Sequence, residues 1–238
     1  KSKEIGELLS REEGKTLPEG IGEVARAGQQ FQYYGAECLR MAGEKIPSTR
    51  PGFQVEITRE PIGIIGIISP WNFPIAIPAW KAAPALMCGN AVILKPASLT
   101  PASAIALTEI IDKQDLPAGL FNLIIGSGSG IGNQIATNPD IPAITFTGSV
   151  DVGKTLYADA SPLLKKMQME MGSKNPLVVL DDADLSTAIS CAANGAYGGT
   201  GQKCTASSRI IVQEGIYNKF IEGLTEHISN IKVGHALE

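Results

Sequence analysis

Histidine, paired cysteines, blocks of basic charge and long apolar runs are all scarce in this sequence, and each scarcity removes a class of protein. The only histidines are His227 and His235, near the end of the 238-residue chain. Four cysteines, Cys38, Cys88, Cys191 and Cys204, lie scattered without a CxxC pair, so neither a structural metal site nor a disulfide framework is expected. A Ser-His-Asp or Cys-His arrangement is disfavoured too, because both histidines fall on the terminal helical segment and its tail. With 20 basic and 24 acidic residues the formal net charge is −4, and no Lys/Arg-rich block interrupts that balance, so nucleic acid is not an expected partner. Pro, Asn or Lys breaks every apolar stretch well short of the ~18 residues a membrane helix needs, and residues 1–20 contain no apolar signal core. The expectation is a soluble cytoplasmic protein with no membrane partner. The chain opens at Lys1 without an initiator methionine, which points to a piece of something longer.

What is present is material for a core. Hydrophobic residues make up 44% of the chain against 18% charged, the balance of a folded protein and not of a disordered one. The 26 glycines and 15 prolines favour many tight connections over long helices.

Along the chain, apolar residues from Ile21 to Leu39 recur at helical spacing, and Gly43 follows as a stop. Phe53, Val55 and Ile57 then alternate with Gln54, Glu56 and Thr58, the period of a half-exposed strand in a hairpin or at an edge. Beyond Pro61 one theme repeats: a short β-branched run, a polar or glycine-bearing turn, then a helix. The runs are GIIGII at 63–68, AVILK at 91–95, LFNLII at 120–125 and AITFT at 143–147. Such continuous runs fit strands buried on both faces of a parallel sheet. A helix at 101–112, with Thr100 as N-cap and Pro101 first in the helix, belongs to this pattern. Strands at 165–171 and 177–180, a helix capped by Asp184, a strand near 209–213 and a helix from 216 follow.

In an open parallel sheet, ligands sit beyond the carboxyl ends of the strands. Here those ends carry Ser69, Trp71 and Asn72; Lys95 and Ser98; the GSGSGIG loop at 126–132; Thr147, Gly148 and Ser149; and Glu170. A lysine beside glycine- and serine-rich helix entries suits a phosphate-bearing ligand, because helix N-termini offer unpaired amides and a positive dipole. The GxGxxG dinucleotide pattern is absent. Residues 148–155, GSVDVGKT, do satisfy GxxxxGK[ST], which keeps a P-loop NTPase open as the alternative. Cys204, in GGTGQKC, has flanking glycines and the neighbouring Lys203; a thiol with a reference pKa of ~8.5 needs such local help to act as thiolate. Cys38, Cys88 and Cys191, on apolar faces, are expected to be semi-buried and inert.

PWNFP at 70–74, LKPA at 94–97, FTGS at 146–149, EMGSKNP at 170–176 and GQKC at 201–204 resemble, in order and approximate spacing, the aldehyde dehydrogenase superfamily. The resemblance covers nearly the whole chain, yet only about half of a full-length member. It implies a doubly wound, parallel-sheet (Rossmann-like) cofactor domain from residues 1–42 and 61–172, an oligomerisation hairpin at 43–60, and the start of an α/β catalytic domain at 173–238. By the same resemblance Cys204 matches the nucleophile, Glu170 the general base and Asn72 the oxyanion-hole amide of an enzyme working through a cysteine thioester. The cofactor, NADP or NAD, would be held by Ser69, Trp71, Lys95, Ser98, Gly128, Gly132, Thr147, Gly148, Ser149 and Gly172. Many NAD-preferring members carry Glu where this chain has Ser98; Ser leaves room for a 2′-phosphate that a carboxylate would repel. Ser173 stands in place of the second glycine of the usual EMGGK pattern. GQKCTASSR and the segment around PWNFP are most similar to the semialdehyde-oxidising branch, implying a substrate such as 2,5-dioxopentanoate and a homodimer or homotetramer at full length. A half-chain lacking the rest of the catalytic domain is expected to be inactive by itself.

Overall fold

The β-branched runs become a five-stranded parallel sheet. In the computed structural model, which describes residues 1–238, these strands are β3 (Ile64–Ile68), β4 (Ala91–Lys95), β5 (Phe121–Leu123), β6 (Ala143–Gly148) and β7 (Lys166–Met171). Before them come α1 (Ser2–Glu13), α2 (Leu17–Glu37) and the antiparallel hairpin β1 (Glu44–Pro47) with β2 (Gln54–Ile57). Between and after them lie α3 (Ala76–Met87), α4 (Pro101–Asp112), the short α5 (Asn133–Thr137) and α6 (Val150–Ala160). A second, two-stranded parallel sheet of β8 (Pro176–Val179) and β9 (Arg209–Val212) follows, packed with α7 (Leu185–Tyr197) and α8 (Glu214–Ser229).

The strand order β5-β4-β3-β6-β7 means that the chain winds outward from β3 in one direction, returns, and winds outward from β6 in the other. This is the doubly wound arrangement, and its ligand crevice lies where the winding reverses, between β3 and β6. Side-chain alternation builds a core on each face. Ile65, Ile67, Val92 and Leu94 meet Ala82 of α3 on one side; Ile68, Ile144 and Phe146 meet Ile135, Leu156 and Ala160 of α5 and α6 on the other. Gly66 interrupts β3 because α5 lies flat upon it: a Cβ there would collide with the Ile135 side chain.

Several local expectations need correction. The helix expected from Ile21 to Leu39 spans Leu17–Glu37 and tightens into a 3-10 turn at Cys38–Arg40. Thr100 precedes α4 but makes no capping hydrogen bond; its hydroxyl is buried without a partner. The cap comes instead from the end of α1, where the Glu12 carboxylate accepts from Ala102 N at 2.6 Å and Ser103 N at 2.9 Å. A carboxylate at the positive end of α4 does the work of a local hydroxyl and ties the first helix to the sheet domain. Nor are the three other cysteines semi-buried as a set. Cys38 and Cys191 are exposed and Cys88 is intermediate, since Cys38 sits beyond the packed part of α2 and Cys191 on the solvent side of α7. The hairpin is exposed throughout, including Ile46, Phe53, Val55 and Ile57. No helix is long and apolar enough to cross a membrane.

Candidate active site

Two loops from distant parts of the chain meet over the crevice. The first leaves β3: Ser69 is buried, its amide bonded to Lys95 O at 3.1 Å, and the chain turns through Pro70, Trp71 and Asn72 into α3. The second leaves α7 through Gly199, Thr200 and Gly201, with φ of 59°, 58° and 71°. Three successive left-handed residues fold the chain sharply back before Cys204. Glycine adopts this conformation freely, but Thr200 is β-branched and held there against its preference. Its hydroxyl donates to Gly199 O at 2.6 Å and accepts from the Gln202 side-chain amide, so polar contacts offset the strain.

The loops are joined directly. Asn72 Nδ2 donates to Gln202 O at 2.8 Å across 130 positions of sequence. From beneath, Asn175 Nδ2 donates to Cys204 O at 2.6 Å and to Ala206 O at 3.1 Å, fixing the backbone at the thiol. Between them opens a cavity of about 420 Å³ lined by Trp71, Asn72, Thr147, Gly148, Ser149, Met171, Gly172 and Cys204. That volume lies within the range of small-molecule sites. Of the residues singled out in the sequence, the structure thus brings Trp71, Asn72, Thr147, Gly148, Ser149, Gly172 and Cys204 together.

The others sit nearby without lining the cavity. Glu170 directly precedes Met171, but alternation along β7 sends its side chain to the α3 face, where Oε1 accepts from Gln168 Nε2 at 3.0 Å. Lys95 ends β4 buried, its Nζ turned back to Pro96 O at 2.7 Å, and burial pushes its pKa down. Ser98 Oγ donates to Gly126 O at 3.2 Å, while Gly128 and Gly132 form a wide π-type turn capped by Ser127, ahead of α5. These groups follow β4 and β5 along the same carboxyl edge of the sheet. A nucleotide across this edge fits one further observation: the Ser69 hydroxyl, immediately beyond β3, is buried without a partner. The P-loop alternative does not fit. Gly148 ends β6, Ser149 caps α6 by accepting from Val152 N at 3.4 Å, and Lys154 lies within that helix. No open loop is left between glycine and lysine to wrap a phosphate.

Sequence reasoning passed over Lys81. This residue of α3 is buried, its Nζ donating to Thr145 Oγ1 at 2.6 Å and Gln168 Oε1 at 2.9 Å. The signal was a lone lysine within the apolar run IPAWKAAPAL. Burial lowers its pKa from 10.5 to about 8, opposed in part by the negative field of Glu170. Between these values the unfolded chain binds more protons than the folded one, so this residue makes stability rise with pH. Full destabilisation applies below the folded value and fades toward 10.5. Urea unfolding of wild type and Lys81→Met at pH 7.5 and 9.5 is expected to shift the stability difference by about 2 kcal/mol in favour of wild type at the higher pH. A pH-independent difference would refute the buried titration.

A doubly wound sheet whose crevice is closed by a cysteine loop and a side-chain amide defines an α/β fold of the dinucleotide-binding type with a thiol at its crevice. The profile described as "Aldehyde dehydrogenase family" matches residues 1–238, and the chain belongs to that family. It is 47% identical over 235 residues to the alpha-ketoglutaric semialdehyde dehydrogenase of Bacillus subtilis, covering 99% of this chain and 48% of that protein. To the succinate-semialdehyde dehydrogenase [NADP(+)] of Escherichia coli it is 37% identical, covering 99% and 49%. The crystal structure of Staphylococcus aureus betaine aldehyde dehydrogenase in complex with NAD+ superposes with a TM-score of 0.97 at 34% identity, covering 98% of this chain and 46% of that one. The chain spans about half the length of the curated relatives it matches.

Proposed function

We propose that this chain supplies the cofactor crevice and nucleophile of an NAD(P)-dependent dehydrogenase that oxidises a semialdehyde, of the 2,5-dioxopentanoate type, to the acid. The observation that carries this reading is the meeting of Cys204 and Asn72 in one cavity beside the β6–α6 turn, at the switch point of the sheet. Cofactor class follows from the relatives, one named for NADP(+) and one bound to NAD+. Ser98 in place of a carboxylate favours NADP.

The Cys204 thiolate attacks the aldehyde carbon, and the negative charge formed on oxygen is met by the Asn72 side-chain amide and the Cys204 backbone N–H. A bound nicotinamide supplies the acceptor for the two electrons and hydrogen that leave as the adduct becomes a thioester. Ser69, Lys95, Ser98, Gly128, Gly132 and the Thr147–Ser149 turn are the residues that would hold that cofactor; Trp71 and Gly172 shape the cavity wall. Glu170 faces away from the cavity, linked through Gln168 to Lys81, and takes a proton from the water that hydrolyses the thioester once its side chain turns from that link toward Cys204. Residues 1–42 and 61–172 form the cofactor domain and 173–238 begin the catalytic domain. The exposed apolar hairpin at 43–60 is the surface by which full-length copies associate into a dimer or tetramer.

The test is formation of reduced nicotinamide by the full-length protein with 2,5-dioxopentanoate, against pentanal. The expected result is turnover with NADP that favours the charged aldehyde at least about tenfold in kcat/KM. No aldehyde-dependent reduction with either cofactor would sink the reading; equal use of both aldehydes would remove the semialdehyde assignment alone.

A further inference from the structure

A buried ion pair under the Asn72 turn has no part in the chemistry above. Lys15, in the link between α1 and α2, and Glu23 of α2 lie 2.6 Å apart, with side chains only 3% and 2% exposed. The ammonium also faces a second buried carboxylate, Glu13 Oε2 at 3.9 Å, which accepts from Lys15 N at 3.1 Å; the remaining contacts of the pair fall on the turn. Lys15 Nζ donates to Asn72 O at 2.5 Å and lies 3.7 Å from the centroid of the Phe73 ring. Glu23 Oε1 accepts from Ile75 N and Ala76 N, both at 3.0 Å, and Oε2 takes the lysine. Ile75 has no side chain that could cap α3, so a carboxylate from another helix caps it.

Buried ion pairs are seldom more stabilising than apolar residues of the same volume, so stability alone is a poor account of this one. Its directional bonds fall on the segment whose geometry the site needs. The Asn72 side chain is fixed by Gln202 O, and its backbone by Lys15. We propose that Lys15 and Glu23 are positioning residues for the oxyanion-hole amide, holding the Asn72 backbone so that the carboxamide faces the carbonyl oxygen of the aldehyde attacked by Cys204. This rests on the reading of Asn72 as oxyanion donor.

The test is a double-variant cycle in the full-length protein. Lys15→Met is expected to lower kcat about ten- to hundredfold, the scale of a displacement near 1 Å, with aldehyde KM and NADP binding changed less than about threefold. In an Asn72→Ala background the same change is expected to cost less than about threefold more, because the group it positions is gone. Equal losses in both backgrounds, or an unchanged kcat in Lys15→Met, overturn the proposal. If Lys15→Met does not fold, Glu23→Gln, which keeps the acceptor for the Ile75 and Ala76 amides, enters the same cycle. Failure of both to fold assigns the pair a purely structural role and likewise overturns it. An unsubstituted protein without aldehyde oxidation overturns the reading of the site itself, which the cycle then separates from a failure of the clamp.

Discussion

Replacing Cys204 by alanine is expected to abolish aldehyde oxidation, a loss on the order of 10⁴-fold or more, while alanine at Cys38, Cys88 or Cys191 leaves turnover within about twofold. Exposure does not separate these thiols, because Cys38 and Cys191 are as open to solvent as Cys204. Position does. Only Cys204 shares a cavity with Asn72 and the β6–α6 turn, and only its backbone is pinned by Asn175. Alkylation followed by peptide mass spectrometry therefore has a specific expected pattern. NADP should change the rate at Cys204 at least about threefold and leave Cys38 and Cys191 unchanged, because a ligand in the crevice affects only the thiol that faces it. ATP with magnesium should change none of them. A protein that keeps turnover without Cys204, or whose exposed thiols all respond equally to NADP, contradicts the assignment.

The strands were legible because each is a short β-branched run, and burial on both faces of a parallel sheet leaves that mark on the sequence. Their order was not. That β3 lies between β4 and β6 depends on pairing Ile64 with Ala91 and Ile65 with Ala143, 27 and 78 positions away, and nothing local in GIIGII or AITFT encodes a neighbour. Helix α1 was missed because its apolar stripe is thin, with Ile5 and Leu9 its buried hydrophobic residues. Helix α3 carries Pro84 in its interior, which locally argues against a helix; packing of Ala79, Ala82 and Ala83 into the core overrides it. Thr100 looked like a cap and is not one, since a carboxylate from α1 arrives first.

At the site the pattern is similar. That Cys204, Asn72 and the β6–α6 turn come together was legible from motifs, because they lie at strand ends and in tight loops. Lys15, Glu23 and Lys81 could not be read in this way, and Asn175, though inside EMGSKNP, had no role that the motif assigned. Each acts on a partner far away in sequence, at separations of 57, 52, 64 and 29 positions respectively. The sequence signal of the three charged residues is at most a charge in apolar surroundings. Glu170 shows the converse: its strand position was read correctly, but the alternation that turns its side chain toward Gln168 and Lys81 becomes informative only once the faces of β7 are assigned.

Asn72→Ala is expected to reduce kcat by about 10²- to 10³-fold, the usual cost of removing one oxyanion donor, with aldehyde KM changed less than about threefold. The donor matters where charge develops, so its loss falls on the transition state more than on binding. Structural damage predicts something different. In the folded protein Asn72 Nδ2 bonds Gln202 O at a partly buried position, and alanine there leaves a carbonyl that water can reach. The Cys204 loop keeps its Asn175 anchors and its left-handed turn. Alkylation of Cys204 by iodoacetamide forms no oxyanion, so Asn72→Ala should leave that rate within about threefold even as turnover collapses. Asn72→Asp sharpens the separation: the shape is kept, but a carboxylate in place of the amide repels the developing charge, and kcat should fall at least as far as with alanine. If alkylation and turnover fall together, Asn72 serves to hold the loop and another group meets the oxyanion; if turnover alone falls, the amide acts on the reacting oxygen.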